Sequence, residues 1–164
     1  MVIIFDSSTL ILLAKIDILR DVTKEFKVII PNKVKDECTK KDLFDAKIIL
    51  SLLKEGLIEA KKVGATGTIN KLCKDFNLHL GEAEALYLAM DEKCLLAVDD
   101  GPTMKTCRVL NVRFLTAIHF LIKLVKIGKM DKQMAMAKLE KLSFYGRYNR
   151  RIVEDALNRL EGGI

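Results

Sequence analysis

Acidic side chains stand where apolar runs stop, and that placement is the first chemistry the sequence offers. Asp6 ends Val2-Ile3-Ile4-Phe5, Glu37 lies just past Val28-Ile29-Ile30-Pro31, and Asp99 ends Leu95-Leu96-Ala97-Val98. Glu84 sits inside Gly81-Glu82-Ala83-Glu84-Ala85-Leu86. Carboxylates gathered at one edge of a sheet repel one another unless a cation holds them. Hard oxygen ligands of this kind favour Mg²⁺ or Mn²⁺. Each acid also has a purely structural reading. Asp6 is an N-cap candidate, worth about 1 kcal/mol to the following helix, and Glu37 can be a solvated helix residue. Glu82 and Glu84 fall in a first helical turn, where the macrodipole favours negative charge. Two positions apart, about 200° around a helix, they cannot both face one site equally. Glu84 opens the most apolar stretch and is the better inward candidate. Asp99 and Asp100 can start the turn Asp-Asp-Gly-Pro. All of these acids lie at a strand end or on a helix beside one, which favours a shared site over unrelated structural roles.

The elements that must position them are short strands alternating with helices. Residues 2–5 read as a buried strand, and Asp6-Ser7-Ser8-Thr9 offers N-caps for a helix running to about Leu19. A second strand covers 26–30, and Pro31-Asn32 opens the helix that carries Val34 and Glu37. Helical periodicity over 43–54 ends at Gly56, a third strand spans 57–63, and Gly64-Ala65-Thr66-Gly67-Thr68 is a loop. A short helix follows to Phe76, then one from Gly81 that is apolar almost all round and therefore buried. Strands at 94–98 and 112–115 flank a helix over 104–110. Helices at 117–127, 131–143 and 150–161 close the chain, the last ended by Gly162-Gly163. Such alternation predicts an α/β fold whose central parallel sheet, of about five strands, is covered by helices. Ligands of such sheets bind at the carboxyl ends of the strands. Neither repeats nor linkers divide the chain. The expected organisation is a domain over 1–128 with a helical extension of the same domain over 129–164.

Composition narrows the class. The 164 residues include 28 Lys and Arg against 22 Asp and Glu, a net charge of +6 with a pI near 9.1. A basic surface favours a polyanionic partner, with nucleic acid first among candidates. Cys38, Cys73, Cys94 and Cys107 form no C-x-x-C pair, and neither His79 nor His119 lies near a cysteine pair, which argues against zinc. Asp6 and Lys15 interrupt the apolar N-terminus and no positive segment precedes it, so neither a signal peptide nor a membrane span is expected. Reduced thiols in a cytoplasmic protein are the corresponding reading.

At Asp6-Ser7-Ser8-x-Leu10-Ile11, Pro31-x-x-Val34-x-x-Glu37, Gly81-Glu82-Ala83-Glu84-Ala85-Leu86-x-Leu88-Ala89 and Leu95-Leu96-Ala97-Val98-Asp99-Asp100, the sequence resembles PIN-domain proteins. More narrowly, it resembles the VapC-like group of small prokaryotic PIN proteins, whose third motif reads G-E-x-E-A. The likeness runs in order over residues 2–128. It implies a three-layer α/β/α fold and Mg²⁺- or Mn²⁺-dependent cleavage of RNA, with a role as the toxin of a toxin–antitoxin pair among the functions it suggests. It also implies an antitoxin and a homodimer as partners. By position, Asp6, Glu37, Glu84 and Asp99 would be the metal-binding acids, with Ser8 a supporting hydroxyl. Two departures leave alternatives open. Many PIN proteins have aspartate at the place of Glu84, so Glu82 can share or take its role. The fourth motif commonly has Thr where Ala97 stands, which leaves Asp100 beside Asp99 as a ligand.

Metal-assisted attack by water on a phosphodiester leaves 5′-phosphate and 3′-hydroxyl ends. Other strand-end acid chemistries fit poorly. A haloacid-dehalogenase-like phosphatase needs Asp two residues past Asp6, where Ser8 stands, and a receiver domain needs a lysine that Leu115-Thr116-Ala117 does not supply. The missing C-x-x-C pairs also set the chain apart from ribosome-maturation PIN endonucleases with a zinc ribbon. A catalytically silent PIN fold that binds RNA or a protein is the non-enzymatic alternative. In the extension, Phe144-Tyr145-Gly146-Arg147-Tyr148-Asn149-Arg150-Arg151 sets three arginines among three aromatics between two helices. Arg147, Arg150 and Arg151 are the candidates for RNA phosphates and the aromatics for base stacking. The competing reading packs the stripe Ile152, Val153, Ala156, Leu157 and Leu160 on the domain's own core or on a dimer mate and leaves the arginines solvated.

Overall fold

A computed structural model describes residues 1–162. Its centre is a five-stranded sheet in the order β3-β2-β1-β4-β5, parallel throughout. The strands are β1 (Val2–Phe5), β2 (Lys27–Pro31), β3 (Ile58–Lys61), β4 (Leu95–Ala97) and β5 (Phe114–Leu115). Ile3, Ile4 and Phe5 are completely buried, as befits a central strand covered on both faces. At the edges β3 alternates toward solvent and β5 has only two residues, so little unpaired ladder is left open.

Ten helices surround the sheet among the described residues: α1 (Ser7–Lys15), α2 (Leu19–Glu25), α3 (Asn32–Thr39), α4 (Phe44–Lys54), α5 (Thr66–Phe76), α6 (Leu80–Asp91), α7 (Gly101–Val109), α8 (Ala117–Lys126), α9 (Lys132–Gly146) and α10 (Arg150–Glu161). α6 packs across β1, β2 and β4 and against α5 and α7, forming one layer. α1 joins α2, α4 and α8 in the other, the arrangement that right-handed crossovers on this strand order require. α3 touches both α1 and α6, so it bridges the layers at the sheet's carboxyl edge. α9 packs on α1 and α8, and α10 on α8 and α9. No helix among the described residues is long and apolar enough to cross a membrane.

The differences from expectation are local. The apolar run after Asp6 is two helices, because Asp17 takes a left-handed φ of 56° and the chain turns there. The Lys138 ammonium, from α9, donates to the Ile16 carbonyl at 2.8 Å and so satisfies the broken end. Thr66 and Gly67, expected in a loop, start α5, and α7 starts at Gly101 rather than Met104. α9 continues through Gly146, so Phe144 and Tyr145 lie on a helix and not in a connection. In α10, Ala156 and Leu160 are buried while Ile152 is half exposed, so the stripe packs on the domain's own core. Of the expected C-terminal stop, Gly162 caps α10 and Gly163 lies outside the described residues.

Candidate functional site

The strand order reverses between β1 and β4, and both strands deliver an aspartate there. Phe5 is in register with Ala97, and the Asp6 N–H extends the pairing to the Ala97 carbonyl at 3.1 Å. Asp6 caps α1 by accepting the Thr9 N–H at 3.1 Å. The Ser8 hydroxyl donates to both Asp6 carboxylate oxygens, at 2.8 and 2.9 Å, and accepts the Asp99 N–H at 3.0 Å. Asp6 is therefore an N-cap and a site candidate at once. With 1 % exposure its carboxyl is pushed up to about 8, chiefly by burial, then by Asp99 and Glu82.

Asp99 turns inward and Asp100 does not. Asp99 Oδ2 accepts the Thr9 hydroxyl at 2.7 Å and the Ala117 N–H, at the start of α8, at 2.9 Å. Its other oxygen accepts the Tyr148 hydroxyl, which arrives from the turn between α9 and α10. Burial raises its carboxyl against these hydrogen bonds. Asp100 is the N-cap of α7, taking the Thr103 N–H and hydroxyl on one oxygen, both at 2.8 Å. Ala97 lacks the hydroxyl that the PIN resemblance commonly places there. Thr9 supplies one to Asp99 instead.

Glu37 reaches the site from α3 across the first turn of α6. A Cβ on Gly81 would meet Glu37 Oε2 at 2.3 Å, so the carboxylate lies directly against the glycine. Glu82 and Glu84 follow Gly81 on α6. Glu82 occupies the third position of α6 and reaches back to the His79 N–H at 2.8 Å, one half of a capping box. Its charge raises Asp6, and it is itself raised by burial and then by Asp100 and Glu37. Glu84 looks toward α3, where burial raises its carboxyl, a backbone hydrogen bond and the charge of Lys33 lower it, and Glu37 and Asp36 act on it as well. Capping thus turns Glu82 back toward His79 while Glu84 faces α3, and Glu37 acts on both. Among the described residues, no three Asp, Glu, His or Cys side chains close around one point.

Cys38 and Cys107 are buried, and Cys73 and Cys94 are half-buried. All four are free thiols, and burial followed by the charge of Asp6 pushes Cys38 up to about 12 and Cys107 up to about 11. Thr9, Gly81 and Tyr148 are the site residues that sequence reasoning missed. In the sequence Thr9 reads only as a helix-start residue, Gly81 only as a helix start and a motif position, and Tyr148 only as one aromatic among arginines. Of those arginines, Arg150 pairs with Glu154 at 2.7 Å on the solvent side of α10, and Arg151 is exposed.

A parallel α/β sheet with paired aspartates at its switch point and glutamates from two flanking helices describes a class of acidic-site proteins. The chain belongs to the PIN-domain family, whose profile matches residues 2–162. No curated protein matches it. Among solved structures it is similar to the crystal structure of VapBC2 from Rickettsia felis bound to a DNA fragment from their promoter. The identity is 14 %, the TM-score 0.44, and the match covers 71 % of this chain and 98 % of that one.

Proposed function

We propose that this PIN-domain protein is a Mg²⁺- or Mn²⁺-dependent ribonuclease of the VapC-like kind. The observation that carries the reading is Asp6, a buried carboxyl at the switch point with Asp99 and Glu82 acting on it. A cluster of this sort is costly as bare anions and well suited to a small hard cation. Mg²⁺ commonly keeps several waters and takes one or two carboxylates together with substrate phosphate oxygens, so a donor set that does not enclose an ion still fits. Asp6, Glu82 and Asp99 would hold it, with Glu37 across Gly81 and Glu84 beyond. Bound there, the ion supplies an activated water and neutralises charge on the phosphoryl oxygens. The chain's own residues do the rest. Ser8 ties Asp6 to the backbone of Asp99, Thr9 bonds both acids, and the start of α8 fixes Asp99, so the carboxylates are oriented before substrate arrives.

Asp6→Asn should remove most metal-dependent RNA cleavage and leave the fold intact, with products of the unaltered chain carrying 5′-phosphates. Full cleavage by Asp6→Asn, or in excess chelator, would defeat the mechanism. One observation favours the silent alternative: Tyr148 already takes an oxygen of Asp99. A chain that binds RNA but turns over none in Mn²⁺ would support it. An antitoxin partner and a homodimer complete the proposal. Both rest on the resemblance to VapC-like proteins, and co-purification with the product of an adjacent small gene tests the first.

A further inference from the structure

A cleft of about 540 Å³ opens beside Asp99, walled by α7, α8, the turn after α9, and α10. Three arginines from three separate elements line it: Arg108 of α7, Arg147 of the turn and Arg159 of α10. The Arg108 guanidinium lies over the Phe114 ring, 5.4 Å from its centroid, so one cationic plane is already stacked and held. Among the described residues Arg159 pairs loosely with Asp155, which also lines the cleft, at 4.0 Å. Arg147 ends α9 in a left-handed conformation, φ 51°. The next ring, Tyr148, packs directly against Gly146, where a Cβ would meet Tyr148 Cε2 at 2.3 Å. Its hydroxyl bonds Asp99. Tyr148 is therefore the partition between the acidic site and the basic cleft.

Guanidinium groups set about a flat aromatic face match one class of ligand, a phosphodiester strand with an unpaired base. The cleft volume is in the range that takes a single small-molecule-sized unit. We propose that it holds single-stranded RNA beside Asp99, with Arg108, Arg147 and Arg159 on the phosphates and Tyr148 against a base. The assignment deepens the nuclease reading and rests on it for the identity of the strand. It differs from the expectation of Arg147, Arg150 and Arg151, since only Arg147 of that trio lines the cleft.

The test is the salt dependence of binding of a labelled single-stranded RNA oligonucleotide to the full chain carrying Asp6→Asn, which stops cleavage. Arg108→Gln with Arg159→Gln should lower the log–log salt slope by about 1.4, roughly 0.7 for each phosphate that is no longer neutralised. Tyr148→Ala should weaken binding on the order of tenfold, and Tyr148→Phe, which keeps the ring, should not. Arg150→Gln with Arg151→Gln should leave the slope at its parent value. Should the double cleft variant melt early, Arg108→Gln alone, on an exposed face of α7, reads half the change. An unaltered slope in the cleft variants, or a duplex of equal length competing as well as the single strand, overturns the proposal. Cleavage by the unaltered chain in Mn²⁺ is scored separately. Absent cleavage with the expected slope change sinks the nuclease reading and keeps the cleft; cleavage with no slope change sinks the cleft alone.

Discussion

At the scale of single residues, the site is governed by which oxygen of each carboxylate is already engaged. Asp99 has both oxygens occupied by Thr9, Ala117 and Tyr148, and Asp100 spends one on a helix cap. Glu82 spends one oxygen on the His79 N–H, and its charge acts on Asp6. Glu84 shares its surroundings with Lys33 and Asp36, outside the pair at the switch point. Removing the charge of Glu82 should therefore weaken Mn²⁺ binding more than removing that of Glu84. Titrations of Glu82→Gln and Glu84→Gln, followed by calorimetry, decide the order. Equal losses would mean that Glu37 brings both glutamates to the ion, and a larger loss in Glu84→Gln would restore the preference read from helix burial.

At the scale of elements, the meeting of α3 with α6 shows how a missing side chain builds a site. Gly81 is in the first turn of α6, where alanine would favour the helix by about 1 kcal/mol. Its Cβ would meet the end of Glu37, 2.3 Å from Oε2, and that end is exposed and can swing away. Gly81→Ala should thus keep or slightly raise the melting temperature while lowering Mn²⁺ affinity and cleavage. Melting curves and a Mn²⁺ titration on the same sample check both halves. Unchanged affinity would remove Glu37 from the site. Sequence patterning reached much of this level, because buried parallel strands leave apolar β-branched runs whose ends can be read directly. Asp6 and Asp99 were legible for that reason, and Ser8 through its place two residues after Asp6. The rest depends on contacts that spacing does not encode. Thr9 meets Asp99 across 90 positions and Tyr148 meets it across 49. The break at Asp17 is likewise invisible in an apolar run, since its compensation comes from Lys138 on a distant helix.

At the scale of the whole molecule, the acidic site should reverse the usual dependence of stability on pH. Buried carboxylates that gain partners are commonly lowered on folding, so that acid unfolds the protein. Here Asp6 is raised from 3.8 to about 8, and Asp99, Glu82 and Glu84 are raised as well. A folded state with the higher pKa binds more protons than the unfolded chain between the two values. Its contribution is fully present below about 4 and is lost as pH rises to about 8, at roughly 1.4 kcal/mol per unit for a single group. Glu55 opposes this only in strong acid, since Arg20 holds it down to about 2 at an exposed site. In chelator, the melting temperature should therefore fall as pH is raised from 5 to 8. Asp6→Asn, which carries no charge to bury, should flatten that fall. Mn²⁺ should restore stability mainly at the alkaline end, where the carboxylates are ionised and ready to bind it. Melting curves of both chains across this range, with and without Mn²⁺, make the comparison. A metal-free melting temperature that holds level or climbs from pH 5 to 8 would mean that Asp6 is ionised in the apo fold, and that its burial is offset by the hydrogen bonds of Ser8 and Thr9 alone.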